Sequence, residues 1–166
     1  MKTNCQFCAG AGCKLCRDQQ TPVIFLPVVP MGAVRTTQKQ KYKDPSYKKY
    51  ANYKTEIGLL LKQRIRGTVG RYTAISLPSV TFYMPMPKNG KTSRKDAATG
   101  KRYQVDVSEN MPHVSKPDAD NLLKGLFDAL NGVIWEDDAQ VFEIGMVRKV
   151  YSESPGIEFS IETVGE

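Results

Sequence analysis

One stretch constrains this chain more than any other: KPDADNLLKGLFDALNGVIWEDDAQV, residues 116–141. Within it Leu122, Leu123, Leu126, Phe127 and Leu130 recur at helical spacing. The run therefore predicts an amphipathic helix with one face that must be buried. Asn121 is a good capping residue at its start, and Asn131-Gly132 offers a stop that tolerates positive φ. Acidic pairs bracket the helix, Asp118/Asp120 before it and Asp137/Asp138 after it. If the segment before the helix is strand-like, Asp118 and Asp120 share a face, about 6.6 Å apart along the chain. Two such carboxylates could hold one Mg²⁺, or two ions roughly 4 Å apart. Lys124 lies one turn after Asp120 on the same side of the helix. The helix reads as one arm of a hairpin, so both acidic pairs are expected to return to one place. The plainer alternative is a helix cap followed by an acidic turn. Against it, close carboxylates repel one another unless a cation or Lys124 offsets the cost.

The acids are the more notable because the chain is basic. Its 166 residues carry a formal net charge of +7. Residues 1–117 hold 21 Lys/Arg against 6 Asp/Glu, whereas residues 118–166 hold 3 against 11. A basic front suits a polyanion, and an acidic back suits a cation or a solvated face. Residues 35–66 concentrate the cations: Arg35, Lys39, Lys41, Lys43, Lys48, Lys49, Lys54, Lys62, Arg64 and Arg66, with only two acids among them. Tyr42, Tyr47, Tyr50 and Tyr53 interleave with these, and core packing is the reading we favour for most of them. No run approaches 18 consecutive apolar residues, so no membrane span is expected. The apolar VIFLPVV (23–29) is short, is broken by Pro27 and lacks signal-peptide flanks, so a cytoplasmic location is expected.

Element by element, VIFLPVV reads as a first strand and residues 31–43 as a basic loop. Residues 44–65 read as a helix, opened by Asp44-Pro45 and closed near Gly67. Its stripe is Tyr47, Tyr50, Tyr53, Ile57, Leu60, Leu61 and Ile65. SVTFYMPM (79–86) alternates like a strand, and 87–115 reads as a flexible basic loop or small hairpin carrying Lys88, Lys91, Arg94, Lys95, Lys101 and Arg102. Residues 139–151 and 156–164 read as strands joined by a hairpin-type turn at Ser154-Pro155-Gly156. In the last strand Ile157, Phe159 and Ile161 should face inward. The sum is one mixed α/β (α+β) domain, a mixed sheet with flanking helices.

The four cysteines, Cys5, Cys8, Cys13 and Cys16, all fall within the first 16 residues, as CQFCAGAGCKLC. Two C-x-x-C pairs can close a tetrahedral zinc site, and a reducing compartment disfavours disulfides. CQFCAGAG resembles the C-x-x-C-x-G-x-G unit of DnaJ-type zinc repeats over about a dozen residues. An iron–sulfur cluster and reduced, unliganded thiols are the alternatives.

The central stretch also resembles the RusA family of Holliday junction resolvases, metal-dependent endodeoxyribonucleases of bacteria, phages and prophages. The family pattern runs K-P-D-x-D-N-L-x-K, D-A-L-N-G and D-D-x-Q-[VI]. It is matched here by Lys116, Pro117, Asp118, Asp120, Asn121, Leu122, Lys124, Asp128, Ala129, Leu130, Asn131, Gly132, Asp137, Asp138, Gln140 and Val141. A weaker likeness spans about residues 22–164. The resemblance implies a RusA-like fold over 21–166, preceded by a cysteine tail over 1–20. It implies that Asp118, Asp120 and Asp138 bind catalytic Mg²⁺, that Asp137 is a lesser neighbour, and that Lys124 meets the scissile phosphate. It implies a two-fold homodimer that cuts four-way DNA in recombination and repair, leaving 5′-phosphate and 3′-hydroxyl ends. Arg35, Lys39, Lys41, Lys43, Lys48, Lys49 and Lys124 are the expected DNA contacts. The cysteine tail, an expected structural Zn²⁺ site, and the basic insert before His113 depart from the compact members of the family. His113, the single histidine, stands five residues before Asp118 and is a candidate ligand or proton carrier. The competing readings are a less selective branched-DNA nuclease and a non-catalytic zinc-knuckle nucleic-acid-binding protein.

Overall fold

The computed structural model describes residues 23–34, 43–64 and 73–164. The cysteine tail and Arg35, Lys39 and Lys41 lie outside the described residues. In chain order the elements are β1 (Val23–Leu26), α1 (Pro45–Lys62), β2 (Ala74–Pro85), β3 (Lys91–Lys95), β4 (Arg102–Asp106) and α2 (Ala119–Leu130). Among the described residues a 3-10 turn (Asp138–Gln140), β5 (Val141–Ser152), β6 (Gly156–Ser160) and β7 (Glu162–Val164) follow.

The main sheet has the order β1-β6-β2-β5, with β7 pairing the start of β2. β2 and β5 run parallel, and the other pairings are antiparallel. Two parallel neighbours need a crossover between them, and α2 is that crossover. The fold is the α+β class expected from the sequence. Alternation puts Ile24, Leu26, Val80, Phe82, Ile157 and Phe159 on the face that meets both helices. There they pack with Tyr50, Tyr53, Ile57 and Leu61 of α1 and Leu122, Leu126 and Leu130 of α2. Tyr50 and Tyr53 are thus core residues, as favoured above. Burial pushes both phenols up, and the Asp128 carboxylate adds to the effect at Tyr50. Tyr50 donates its hydroxyl to Asp128 Oδ2 at 2.5 Å, pinning α1 to α2.

Two sequence expectations change. The turn at Ser154-Pro155-Gly156 does not close a β5–β6 hairpin, because β2 lies between those strands and offers each of them one edge. Gly156 instead allows the Phe25 ring to lie against its backbone, where a Cβ would collide. The last strand divides at Ile161 into β6 and β7, while Ile157, Phe159 and Ile161 are buried as expected. Residues 91–106 form an ordered β3–β4 hairpin, one of the two options read for the insert. Its tip is tied by Asp96 Oδ1, which accepts from Ala98 N, Thr99 N and Thr99 Oγ1.

After the hairpin the chain returns along β5. Asn110 N donates to Tyr151 O, Tyr151 N to Met111 O, and His113 N to Lys149 O. Residues 110–113 therefore cover the outer edge of β5 near its end, where Pro112 bridges Val150. The first half of β5 stays an edge of the described sheet. On its solvent face stand Phe142, Ile144 and Met146, 59%, 41% and 63% exposed.

Candidate active site

The N-terminal half of α2 is held by close backbone packing. Ala33 N donates to Asn121 O at 3.0 Å. A Cβ on Gly125 would collide with Met31 O, and one on Gly32 would collide with the Asn121 amide. The helix begins earlier than its sequence suggests. Asp118 is the N-cap, extended at φ −73° and ψ 155°, and its carbonyl accepts from Leu122 N at 3.0 Å. Asn121 is inside the first turn, and its side chain packs on Gly32 rather than capping. Asp118 and Asp120 consequently straddle a helix start instead of sharing the face of a strand.

Even so, both acids line one cleft of about 560 Å³, together with Lys116, Pro117, Asn121 and Lys124. The side chain of Asp118 makes no capping hydrogen bond, so its carboxylate is not used up in holding the helix. Lys124 Nζ donates to Asp120 Oδ2 at 3.0 Å. That hydrogen bond, and then the Lys124 charge, hold the Asp120 carboxyl below the usual carboxylate range. Oxygen donors of this kind suit Mg²⁺, which commonly takes one or two carboxylates and fills its other positions with water and phosphate oxygens.

Asp138 is not in this cleft. It opens the 3-10 turn before β5, beyond the far end of α2. The 12 residues of that helix span roughly 18 Å at about 1.5 Å per residue. No group of three or more His, Cys, Asp or Glu side chains converges to hold an ion among the described residues. The expectation that both acidic pairs return to one place is not met within one chain, because α2 holds them apart.

The neighbours of Asp138 have structural work. Asp137 Oδ1 accepts from Ala139 N at 2.9 Å. Gln140 Oε1 accepts from Glu136 N and Asp137 N, and Gln140 Nε2 donates to Thr73 O. The D-D-x-Q pattern is thus a capping box that ties the start of β5 to the start of β2. Trp135 Nε1 donates to Asn131 Oδ1, and Gly132, at φ +72°, turns the chain between them.

His113 is buried, with its ring 4.6 Å from that of Tyr151. Burial, then the Lys149 charge, holds its pKa below the usual value, which favours the neutral ring. Sequence reasoning missed Lys149. It sits opposite Phe82 on the helix-facing side of β5, and Nζ donates to Ser115 O at 2.5 Å and Pro117 O at 2.6 Å. The signal was present: Val147-x-Lys149-x-Tyr151 places a lysine in an inward register. Among the expected DNA contacts, Lys43, Lys48 and Lys49 are exposed at the start of α1. The described segment 23–34 ends one residue past the Ala33–Asn121 bond, at the cleft.

A paired carboxylate cleft with a lysine beside it, on a chain with a basic front, fits a class of enzymes that act on phosphodiesters. The family model for endodeoxyribonuclease RusA matches residues 27–162, most of the chain. The chain therefore belongs to the RusA endodeoxyribonuclease family. It is also 36% identical over 135 residues to a protein of Bacillus subtilis (strain 168) named "Uncharacterized protein YqaN", covering 81% of this chain and 87% of that one. No helix among the described residues is long and apolar enough to cross a membrane.

Proposed function

We propose that this protein is a Mg²⁺-dependent, structure-specific endodeoxyribonuclease that resolves four-way DNA junctions as a two-fold homodimer, serving recombination and repair. The observation that carries the reading is the Asp118/Asp120 cleft with Lys124 at its side, in a chain of this family. Asp118 and Asp120 would hold the ion from one subunit, and Asp138 of the partner subunit would complete the set. When bound there, Mg²⁺ supplies Lewis acidity and neutralises charge on the phosphate. Lys124 keeps Asp120 ionised and adds positive charge where the phosphate negative charge grows. Lys43, Lys48 and Lys49 support a basic approach for the DNA arms, together with Arg35, Lys39 and Lys41.

The exposed edge of β5 supports a shared site. Exposed, apolar edge strands invite pairing. A second copy added antiparallel over residues 141–147, about a two-fold axis at Ile144, would cover Phe142 and Met146 with their counterparts. Asp138 stands six residues before Ile144, and Val150 six residues after it. Such an isologous pairing carries Asp138 of the partner subunit to the level of Val150, beside the segment that Lys149 binds. Two identical sites then face the two strands of a junction.

The test compares a synthetic four-way junction, a Y-fork and a linear duplex, each with and without Mg²⁺. Paired symmetric nicks in the junction alone are expected, with 5′-phosphate ends, and D120N should bind but not cut. Cuts in every branched form would favour a broader nuclease. Binding without any cutting would favour a nucleic-acid-binding role. In the same work, metal analysis of the full chain determines whether Cys5, Cys8, Cys13 and Cys16 carry Zn²⁺ in a separate tail over residues 1–20.

A further inference from the structure

We propose that Lys149 is a positioning residue for the carboxylate site, holding in place the loop that presents Asp118. The inference rests on the metal-dependent reading above. One residue makes three bonds to alternate residues of one short segment, His113, Ser115 and Pro117. The Lys149 carbonyl accepts from His113 N at 3.0 Å. Its ammonium donates to Ser115 O at 2.5 Å and Pro117 O at 2.6 Å. The carbonyl of Pro117 belongs to the peptide unit that contains the Asp118 nitrogen, so gripping it limits rotation of that unit. Beyond Asp118 the helix takes over, through the bond from Leu122 N to Asp118 O. Asp118 is therefore pinned from both sides while its side chain stays exposed in the cleft.

The chemistry of the anchor matters. An ammonium has three donors and no acceptor, and here two of them meet two carbonyls that turn toward one point. The segment between His113 and Asp118 has no helix or strand of its own, so these bonds substitute for a ladder. Lys149 stands on β5, inside the sheet that carries the core. Its backbone pairs with Phe82 of β2, so the loop is tied to a hydrogen-bonded strand. A methionine there would keep the stem and lose both side-chain bonds. The carboxylate would then have to be ordered when the ion binds, which lowers affinity for the ion more than affinity for DNA.

The experiment uses the full chain and Mn²⁺ as the probe, with free ion counted by electron paramagnetic resonance. Wild type, D118N, K149M, K149Q and K149R are compared. Loss of outer contacts to metal ligands costs about 10- to 100-fold in affinity, so K149M should weaken Mn²⁺ binding by that order. Its Mg²⁺ requirement for cleavage should rise in parallel, and its junction affinity without metal should match wild type. K149R should recover most of the Mn²⁺ affinity. K149Q, whose amide still reaches one carbonyl, should fall between. Wild-type Mn²⁺ affinity in K149M overturns the role of Lys149 alone. Should K149M fail to fold, K149Q decides, and unchanged affinity there overturns the role as well. Failure of wild type to bind Mn²⁺, or binding unaffected by D118N, instead overturns the metal-dependent reading itself.

Discussion

Gly125 and Gly58 both lie in helix interiors and face the core, yet alanine should act on them in opposite directions. At Gly125 a Cβ would collide with Met31 O and approach Ala33 N at 3.1 Å and Gly32 C at 3.3 Å. These are backbone atoms, and no rotamer change can move them aside. Overpacking of this kind costs about 1–3 kcal/mol. The gain in helix propensity returns about 1 kcal/mol. The balance is a loss of up to about 2 kcal/mol, which in a chain of this size lowers Tm by at most roughly 4–8 °C. At Gly58 the nearest atom is Val133 Cγ2 at 3.7 Å, an ordinary contact. G58A therefore keeps the propensity gain and should raise Tm by roughly 2–4 °C. Scanning calorimetry of the two variants beside wild type measures both signs. In G125A the Ala33–Asn121 bond should also open, which faster amide exchange at Ala33 would report. A G125A protein as stable as wild type, with Ala33 still protected, would refute the reasoning.

Two further outcomes follow from the charges. In K124M the Asp120 carboxyl loses the hydrogen bond and the charge that depress its pKa. Its pKa should rise, so that as pH falls the variant loses the carboxylate before wild type does. A ¹³C titration of the Asp120 carboxyl reads this directly, and the acid limb of cleavage should move up in pH with it. Junction affinity should fall linearly in a plot of log K against log salt. If Lys48 and Lys49 each meet one phosphate, replacing both should reduce the slope by about 2, measured by fluorescence anisotropy.

The sequence shows the parts of this molecule whose cause is local. Leu122, Leu126 and Leu130 mark the buried face of α2 because one face of a helix repeats every turn. The clustering of Asp118, Asp120 and Lys124 follows from the same spacing. Long-range pairing hides the rest. Ser154-Pro155-Gly156 looks like a hairpin turn, but β2 competes successfully for both flanking strands. Asn121 looks like a cap, whereas Gly32 leaves room for its amide and the helix starts at Ala119. Lys149 stands at an inward register, but nothing local shows that its ammonium meets the carbonyls of Ser115 and Pro117. The separation of Asp138 from Asp118 is set by the length of α2, and the short sequence distance between the two conceals it.

The central claim is that each cutting centre takes Asp118 and Asp120 from one subunit and Asp138 from the other. Mixing D118N with D138N tests it most directly, since each variant alone should be inactive. In a mixed dimer one centre carries both substitutions and the other carries neither. The account predicts that mixing restores Mg²⁺-dependent nicking of a four-way junction, on one strand per encounter, by every mixed dimer, and mixed dimers make up about half of all dimers in an equal mixture. If the mixture stays as inactive as the separate variants while mixed dimers are shown to form, each centre lies within one chain and the claim is wrong.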